Sequence, residues 1–210
     1  MSRFIVKICG LTSVEDVEMV VRAGADAVGV NFWEGSKRFV GDAAGDVLAA
    51  VPAGVLKVGV FVNASAGAVR DCAHRFGLDR VQLHGDERAQ DFAALPADTV
   101  VRAIRVRNAA SLAEAEGWHA DLFLYDAFVD GYGGGGTPAP WADIAAARMT
   151  RPFLLAGGLT ANNVSAAIHA TRPAGVDVAS GVESAPGRKD RGRVEAFIRA
   201  ARAAAAAIGP

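Results

Sequence analysis

A cysteine and an aspartate each follow a predicted strand of this 210-residue chain, and together they could carry acid–base chemistry. Cys9 ends the run Phe4–Cys9 and precedes Gly10, while Asp126 follows a strand predicted over Leu122–Tyr125. A thiolate can remove a proton and a carboxylic acid can supply one, so the two groups could act on opposite sides of a bound sugar. The alternatives are a buried, inert cysteine, which is common for a free thiol, and a solvated loop carboxylate.

Two glycine turns predict a phosphate site. Gly157 and Gly158 follow the seventh predicted strand, and Ser180 and Gly181 follow the eighth. Glycine lets main-chain amides approach an anion closely, and the loops after strands seven and eight commonly bind phosphate in α/β barrels. We therefore expect a phosphorylated small molecule as the ligand.

Three other polar side chains are candidates for binding or structural roles. Arg38 can hold a carboxylate with two hydrogen bonds, or it can be an exposed basic residue of its loop. His84 either contacts the ligand or packs beside Gly85, and Asp177, inside a predicted strand, is expected to make a buried polar contact. No cluster has metal-ligand spacing and no nucleophile triad is evident, so we expect proton transfer without a metal.

The elements that must position these residues alternate between strand and helix about every 20–30 residues, which is typical of a barrel. The predicted strands are Phe4–Cys9, Ala27–Phe32, Leu56–Val62, Arg80–Leu83, Thr99–Val106, Leu122–Tyr125, Pro152–Leu155 and Gly175–Ala179. Eight strands close a barrel, whereas open sheets of this class usually have five or six. We predict the α/β class and a single (β/α)8 TIM barrel of minimal size, with residues 1–210 as one domain.

Helices are predicted between the strands. The expected ranges are Ser13–Ala23, Gly41–Val51, a helix with Val69, Cys72 and Phe76 on one face, Glu87–Leu95, Ala109–Glu116, Trp141–Ala147, Thr160–His169 and a last helix from Arg191. Thr12 and Glu15 have the spacing of a capping box, and Thr160 is the expected N-cap of its helix. The face at the strand ends should carry Cys9, Asn31 or Phe32, Asn63, His84, Arg105, Asp126 and the two glycine turns.

Composition excludes several partners. The formal net charge of −1 gives no reason to expect nucleic acid or an anionic membrane. Cys9 and Cys72 are far apart in the sequence, which favours a reducing, cytoplasmic protein without disulfides. A strand begins by Phe4, so no signal peptide is expected, and the longest apolar run, Ala203–Ile208, is too short to span a membrane.

Seven segments of the chain resemble the phosphoribosylanthranilate isomerase family. They are Val6–Thr12, Gly24–Gly29, Ser36–Val40, Val58–Asn63, Val81–Gly85, Leu155–Leu159 and Val176–Glu183. The resemblance covers nearly the whole chain in order. It implies a TIM barrel that catalyses the Amadori rearrangement of N-(5-phosphoribosyl)anthranilate in tryptophan biosynthesis.

The resemblance also implies a role for each matching residue. Cys9 would be the general base, Asp126 the general acid, and Arg38 the group that holds the anthranilate carboxylate. The glycine turns would hold the phosphate. Apart from the resemblance, we also expect Lys7 and His84 among the substrate-binding residues. No cofactor is implied, and we expect a monomer, with a homodimer as the alternative.

The loop Gly133–Trp141 departs from the family pattern. A basic residue, a phenylalanine and an aspartate that usually follow the glycine-rich turn are missing. Two alternatives remain: another phosphosugar barrel, such as an epimerase or a dual-substrate isomerase, and a barrel that binds a phosphosugar without catalysis. An epimerase would require more histidines at strand ends than His84, and a dual-substrate isomerase would have an aspartate in place of Cys9.

Overall fold

The barrel predicted from the strand–helix alternation is confirmed. The structure, a computed structural model, describes residues 4–127, 139–147 and 149–209. Eight parallel strands pair in chain order, and the first also pairs with the last, which closes the barrel. The strands are β1 Ile5–Cys9, β2 Ala27–Asn31, β3 Leu56–Phe61, β4 Arg80–Leu83, β5 Val100–Val106, β6 Leu122–Ala127, β7 Phe153–Leu155 and β8 Gly175–Val178.

Six α-helices surround the barrel in the described part of the chain. They are α1 Val14–Arg22, α2 Ala44–Ala49, α3 Ala66–Phe76, α4 Trp141–Ala146, α5 Val164–Thr171 and α6 Arg191–Ile208. The α-helices predicted over Glu87–Leu95 and Ala109–Glu116 are wrong. Short 3-10 segments, Ala89–Phe92 and Ala109–Gly117, follow β4 and β5 instead.

Glu87 explains why no α-helix follows β4. Its carboxylate accepts hydrogen bonds from the main-chain amides of Asn63 and Gly85, both at 2.8 Å. It also pairs with the buried guanidinium of Arg102 at 2.8 Å. These bonds hold Glu87 in the loop between β4 and β5 and connect that loop to the one after β3, because a buried carboxylate needs such partners. Pro96 then follows closely and cannot continue a helix.

Two of the predicted helix caps are displaced. Ser13, rather than Thr12, is the N-cap of α1, and its hydroxyl accepts from the Asp16 amide at 3.2 Å. The Thr12 hydroxyl donates instead to the Gly187 carbonyl at 2.8 Å. Asn163, rather than Thr160, occupies the N-cap position of α5. Because Ser13 is the N-cap of α1, the Thr12 hydroxyl can bond to Gly187 and so connect the loop after β1 to a distant segment.

That distant segment is a hairpin that the sequence reasoning did not predict. Strands β9 Glu183–Ala185 and β10 Arg188–Lys189 pair in an antiparallel fashion between β8 and α6. Gly187 at the turn has φ of +79°, a conformation that glycine adopts without strain. The hairpin therefore lies over the carboxyl ends of β1 and β8.

The hydrophobic core has an inner and an outer part. Val101, Ala103, Leu124, Leu154 and Ala156 fill the barrel interior. A larger cluster packs the strands against the surrounding helices and includes Val6 and Ile8 of β1. Because strand side chains alternate between faces, Lys7 and Cys9 point into the barrel. Among the described helices, none combines the length and apolar character needed to cross a bilayer.

Candidate active site

One cavity opens at the carboxyl ends of the barrel strands and contains most of the predicted site. It encloses about 780 Å³ of space, including solvent at its mouth. The predicted residues that line it are Cys9, Asn31, Arg38, His84, Asp126, Gly157, Gly158, Ser180 and Gly181. Residues at or just after the carboxyl ends of six different strands thus meet at one place, as the architecture of the barrel requires.

Two residues predicted for this face lie beside the cavity rather than in its lining. Asn63 accepts from the Asp86 amide at 2.7 Å through its side chain. Arg105 pairs with Asp86 at 2.6 Å. Asn63 follows β3, Arg105 lies near the end of β5, and both contact Asp86 in the loop after β4, so their side chains support the rim.

Lys7 lies beneath the cavity. It is 1% exposed and its ammonium donates to Asp177 at 2.8 Å across the β1–β8 pair. This is the buried polar contact expected of Asp177. Lys7 is not among the residues that line the cavity and lies behind Cys9, so its predicted contact with a ligand stays a prediction.

Cys9 is a buried thiol with a cation beside it. Burial raises the pKa of Cys9, and the neighbouring Lys7 ammonium opposes this only in part, so the pKa lies above its ordinary value. Burial lowers the pKa of Lys7, but Asp177 and Cys9 more than offset this effect, and the pKa of Lys7 is raised. The Lys7 ammonium thus lies between Asp177 and a thiol whose ionisation is opposed by burial.

Two glycines make room for the side chains at the end of β1. A Cβ atom on Gly29 would lie 2.6 Å from Cys9 Sγ and 3.0 Å from Lys7 Nζ. A Cβ atom on Gly10, whose φ is +76°, would lie 2.4 Å from Arg38 Cδ. Gly29 and Gly10 thus create the space in which the thiol and the guanidinium lie.

Asp126 lies at the end of β6 and contacts His84. Its Oδ2 is 3.2 Å from Nε2 of His84, and its Oδ1 accepts from the Ala127 amide at 2.8 Å. On the other side of the ring, Nδ1 of His84 is 3.0 Å from the Gln82 amide nitrogen. His84 lines the cavity as predicted and also orients the carboxyl group of Asp126.

Arg38 is held by an acidic residue of the hairpin. Its Nε and Nη2 donate to the two carboxylate oxygens of Glu183, each at 2.7 Å. Sequence reasoning gave no role to Glu183 or to Gln82. The signal for Glu183 is its place three residues after Ser180 and before a Pro-Gly turn; Gln82 has only its inward position on β4.

The glycine turns after β7 and β8 form one wall of the cavity. Gly157 and Gly158 have φ of +84° and +58°. Asn163 secures this turn by donating to the Gly158 carbonyl at 2.9 Å and accepting from the Thr160 amide at 2.8 Å. A Cβ atom on Gly181 would lie 1.8 Å from the Leu159 carbonyl oxygen, so the two turns need a glycine there to approach each other.

Other predictions fall outside this cavity. Cys72 packs partly buried against the core from α3, as expected, and burial raises its pKa to about 11. Across residues 4–127, 139–147 and 149–209, no three or more His, Cys, Asp or Glu side chains gather as metal ligands. The glycine run Gly133–Gly136 and its family departures lie outside the described residues.

Comparison with known proteins points to one family. Residues 6–200 match the model of the family described as N-(5'phosphoribosyl)anthranilate (PRA) isomerase. The N-(5'-phosphoribosyl)anthranilate isomerase of Rubrobacter xylanophilus is 46% identical over 202 residues, which cover 94% of this chain and 98% of that relative.

Solved structures agree with this match. A structure of monomers of the dimeric phosphoribosylanthranilate isomerase from Thermotoga maritima has a TM-score of 0.84 and 35% identity, covering 97% of this chain and 100% of that one. A phosphoribosyl anthranilate isomerase in complex with reduced 1-(o-carboxyphenylamino)-1-deoxyribulose 5-phosphate has a TM-score of 0.84 and 36% identity, with the same coverage.

The fold and the site are those of an enzyme built on a (β/α)8 barrel. A thiol and a carboxyl group line one cavity at the carboxyl ends of a closed (β/α)8 barrel, where enzymes of this fold have their active sites. The chain belongs to the N-(5'-phosphoribosyl)anthranilate isomerase family.

Proposed function

We propose that the chain catalyses the Amadori rearrangement of N-(5-phosphoribosyl)anthranilate to 1-(2-carboxyphenylamino)-1-deoxyribulose 5-phosphate, a step of tryptophan biosynthesis. The observation that carries this proposal is the presence of Cys9 and Asp126 in the lining of one cavity, in a chain of this family. The reaction moves protons within one molecule. It therefore requires an acid and a base in one site and no redox partner.

The proposed steps assign one proton transfer to each group. Asp126, as the general acid, protonates the ribose ring oxygen, and the C1′–oxygen bond breaks as the anthranilate nitrogen forms a Schiff base. Cys9, as the general base, then removes the proton from C2′, and the electrons move towards the nitrogen to give an enolamine. Tautomerisation of the enolamine yields the ketone. The substrate's own nitrogen acts as the electron sink, so no cofactor is proposed.

The other lining residues would bind the two ends of the substrate. Arg38 is proposed to hold the anthranilate carboxylate, since a guanidinium binds carboxylates with two hydrogen bonds. Main-chain amides at Gly157, Gly158 and the Ser180–Gly181 turn are proposed to hold the phosphate. His84 lies close enough to Asp126 to contact the sugar that Asp126 protonates.

The setting of the protein is proposed from its chemistry. A free, buried thiol as base suits a reducing compartment, so we propose the cytoplasm. We propose a monomer, with a homodimer as the alternative, since the Thermotoga maritima relative is dimeric. Light scattering of the purified protein distinguishes the two states.

Turnover by the purified wild-type chain tests the proposed function. Addition of the protein to N-(5-phosphoribosyl)anthranilate should abolish the fluorescence of the anthranilate derivative much faster than spontaneous hydrolysis does. A chain that binds a phosphosugar without catalysis would leave the spontaneous rate unchanged, and that result would contradict the proposal.

A further inference from the structure

Arg38 already has a carboxylate partner before any ligand binds. Glu183 accepts two hydrogen bonds from it, and the Arg38 and Glu183 side chains are 14% and 4% exposed. A guanidinium that binds a substrate carboxylate would ordinarily be weakened by a buried acid at its side. The arrangement therefore needs a physical explanation.

The planar guanidinium of Arg38 has room for two carboxylates. Its five N–H groups lie in one plane and form two separate edges, each of which can bind one carboxylate. Glu183 occupies the edge formed by Nε and Nη2. In the described part of the chain no hydrogen bond engages Nη1, so the edge formed by Nη1 and Nη2 stays available. A second carboxylate can bind Arg38 there without displacing Glu183.

Lys189 adds a second positive charge next to the pair of Arg38 and Glu183. Arg38 and Glu183 alone are a neutral pair that would attract an anion only weakly. The ammonium of Lys189 lies 2.8 Å from Glu183 Oε1 and also donates to the carbonyl oxygens of Cys9, at 2.5 Å, and Ala179, at 3.3 Å. Three acceptors surround this nitrogen, which matches the three N–H groups of a charged ammonium. Burial lowers the pKa of Lys189, and the carboxylate of Glu183 opposes this by favouring the charged form. Arg38, Glu183 and Lys189 thus carry a net charge of +1.

The neighbouring charges do not cancel this surplus. Asp16 accepts from the Lys189 main-chain amide and Arg193 donates to the Glu183 carbonyl, so the two flanking groups offset each other. Lys189 itself has a fully buried side chain and does not line the cavity. It can therefore act on a ligand only through its charge and through the groups that it holds.

We propose that Glu183 and Lys189 are positioning residues that set the specificity for a carboxylate-bearing substrate. Glu183 fixes the Arg38 guanidinium so that its free edge faces the cavity, and Lys189 restores the positive charge that Glu183 removes. This inference rests on the proposed function and extends it to two residues that do not touch the substrate. Because Lys189 also holds the Cys9 carbonyl, one side chain anchors both the carboxylate site and the base.

A pair of ligands isolates this effect. The probes are reduced 1-(o-carboxyphenylamino)-1-deoxyribulose 5-phosphate and the same compound without its ring carboxylate, and calorimetry measures both dissociation constants. Wild type should prefer the carboxylated ligand. Lys189→Met should reduce that preference on the order of tenfold, since it removes a charge next to Arg38 and Glu183, and should lower the affinity for the other ligand much less. Lys189→Gln also removes the charge but can still donate to the Cys9 carbonyl, so it should show the same loss of preference. It replaces the methionine variant if that variant does not fold.

A second substitution separates charge from mere support of the fold. In the double variant Lys189→Met with Glu183→Gln the cluster regains a net charge of +1, so the preference for the carboxylated ligand should recover several-fold. Loss of a purely structural residue would not be rescued by a further change in the same cluster. The matched control is Arg188→Met, which removes an exposed charge one residue away and should leave both affinities and the turnover unchanged.

The outcomes distinguish this inference from the proposed function. Turnover by wild type with a ligand preference that does not change in Lys189→Met, or is not recovered in the double variant, would overturn the inference alone. Equal affinity of wild type for both ligands would overturn it as well, because Arg38 would then not bind the carboxylate. A lack of wild-type turnover would contradict the proposed function whatever the binding data show.

Discussion

Cys9 is the last residue of β1, and its surroundings control whether it can act as a base. Lys7 lies two residues earlier on the same face of the strand, which places an ammonium directly behind the thiol. Asp177 neutralises part of that ammonium's charge. Because burial and Asp177 favour the thiol and Lys7 favours the thiolate, the base becomes available only as the pH rises.

This balance predicts the pH dependence of the reaction. In the Asp126→Asn background, where no carboxyl group titrates at that position, kcat/KM should increase with pH from about 6 to about 9, because the pKa of Cys9 is raised and the thiolate is the active form. The Lys7 and Lys57 variants are compared in this same background. Lys7→Met removes the cation that stabilises the thiolate, which should move this limb to higher pH and lower kcat/KM at neutral pH on the order of tenfold. Stopped-flow fluorescence across the pH range provides the measurement.

The matched control for Lys7 is Lys57→Met on β3, which lies outside the cavity lining and should leave the pH profile unchanged. An identical profile with and without Lys7→Met in that background would show that Lys7 does not act on Cys9.

The place of a single residue in the cavity could be predicted from the sequence when the residue lies at the end of a strand. Cys9 and Asp126 end strands, and the carboxyl ends of barrel strands converge, so both were placed correctly in the cavity lining. Glu183 and Lys189 could not be predicted in the same way. Their contacts depend on how the hairpin folds over β1, which no local pattern specifies.

At the scale of the element, β2 shapes the site because one of its residues, Gly29, has no side chain. Gly29 pairs with Cys9 in the β1–β2 register and faces the thiol. Gly29→Ala should push Cys9 Sγ out of position and lower kcat by about a hundredfold, since small displacements of a reacting group have large effects on rate. Gly45→Ala in α2, where a Cβ atom meets nothing within 4 Å, is the control and should retain full activity.

Steady-state kinetics together with circular dichroism on both variants provide the check. Wild-type kcat in a folded Gly29→Ala protein would contradict the assigned packing of β2 against Cys9.

The strands were predicted closely and the helices less so, for a physical reason. Strands such as Leu56–Phe61 are apolar on both faces, and their boundaries follow from that run alone. The segment after β4 was predicted as a helix because its pattern is compatible with one, yet Glu87 bonds to Arg102 and to two main-chain amides. A buried ion pair between distant residues overrides local propensity, and sequence spacing does not reveal it.

At the scale of the whole molecule, the last helix ties the first strand to the second. Arg202 of α6 donates to the carbonyls of Phe4 and Gly24 and pairs with Asp26. Asp26 in turn accepts from the Val6 amide at 2.7 Å. These bonds join the two ends of the chain, which a closed barrel must bring together.

Arg202→Met should therefore destabilise the protein without changing the chemistry. We expect the free energy of unfolding to fall by about 1–3 kcal/mol, because main-chain carbonyls and a carboxylate lose their donor. Urea unfolding measures this change, and kcat of the folded protein should be unaffected. The exposed Arg199 of the same helix gives the control Arg199→Met, with an expected change within about 0.5 kcal/mol. Equal stability of the two variants would show that the tie contributes nothing.

The central claim is that Cys9 and Asp126 are the base and acid of one isomerisation, and single-site variants test it most directly. The measurement is kcat/KM of Cys9→Ala and Asp126→Asn for N-(5-phosphoribosyl)anthranilate, by loss of fluorescence, with circular dichroism to confirm folding. Each variant should lose about 10²–10⁴-fold in kcat/KM, because each lacks one of the two proton transfers. Turnover near the wild-type value in either folded variant would contradict the account.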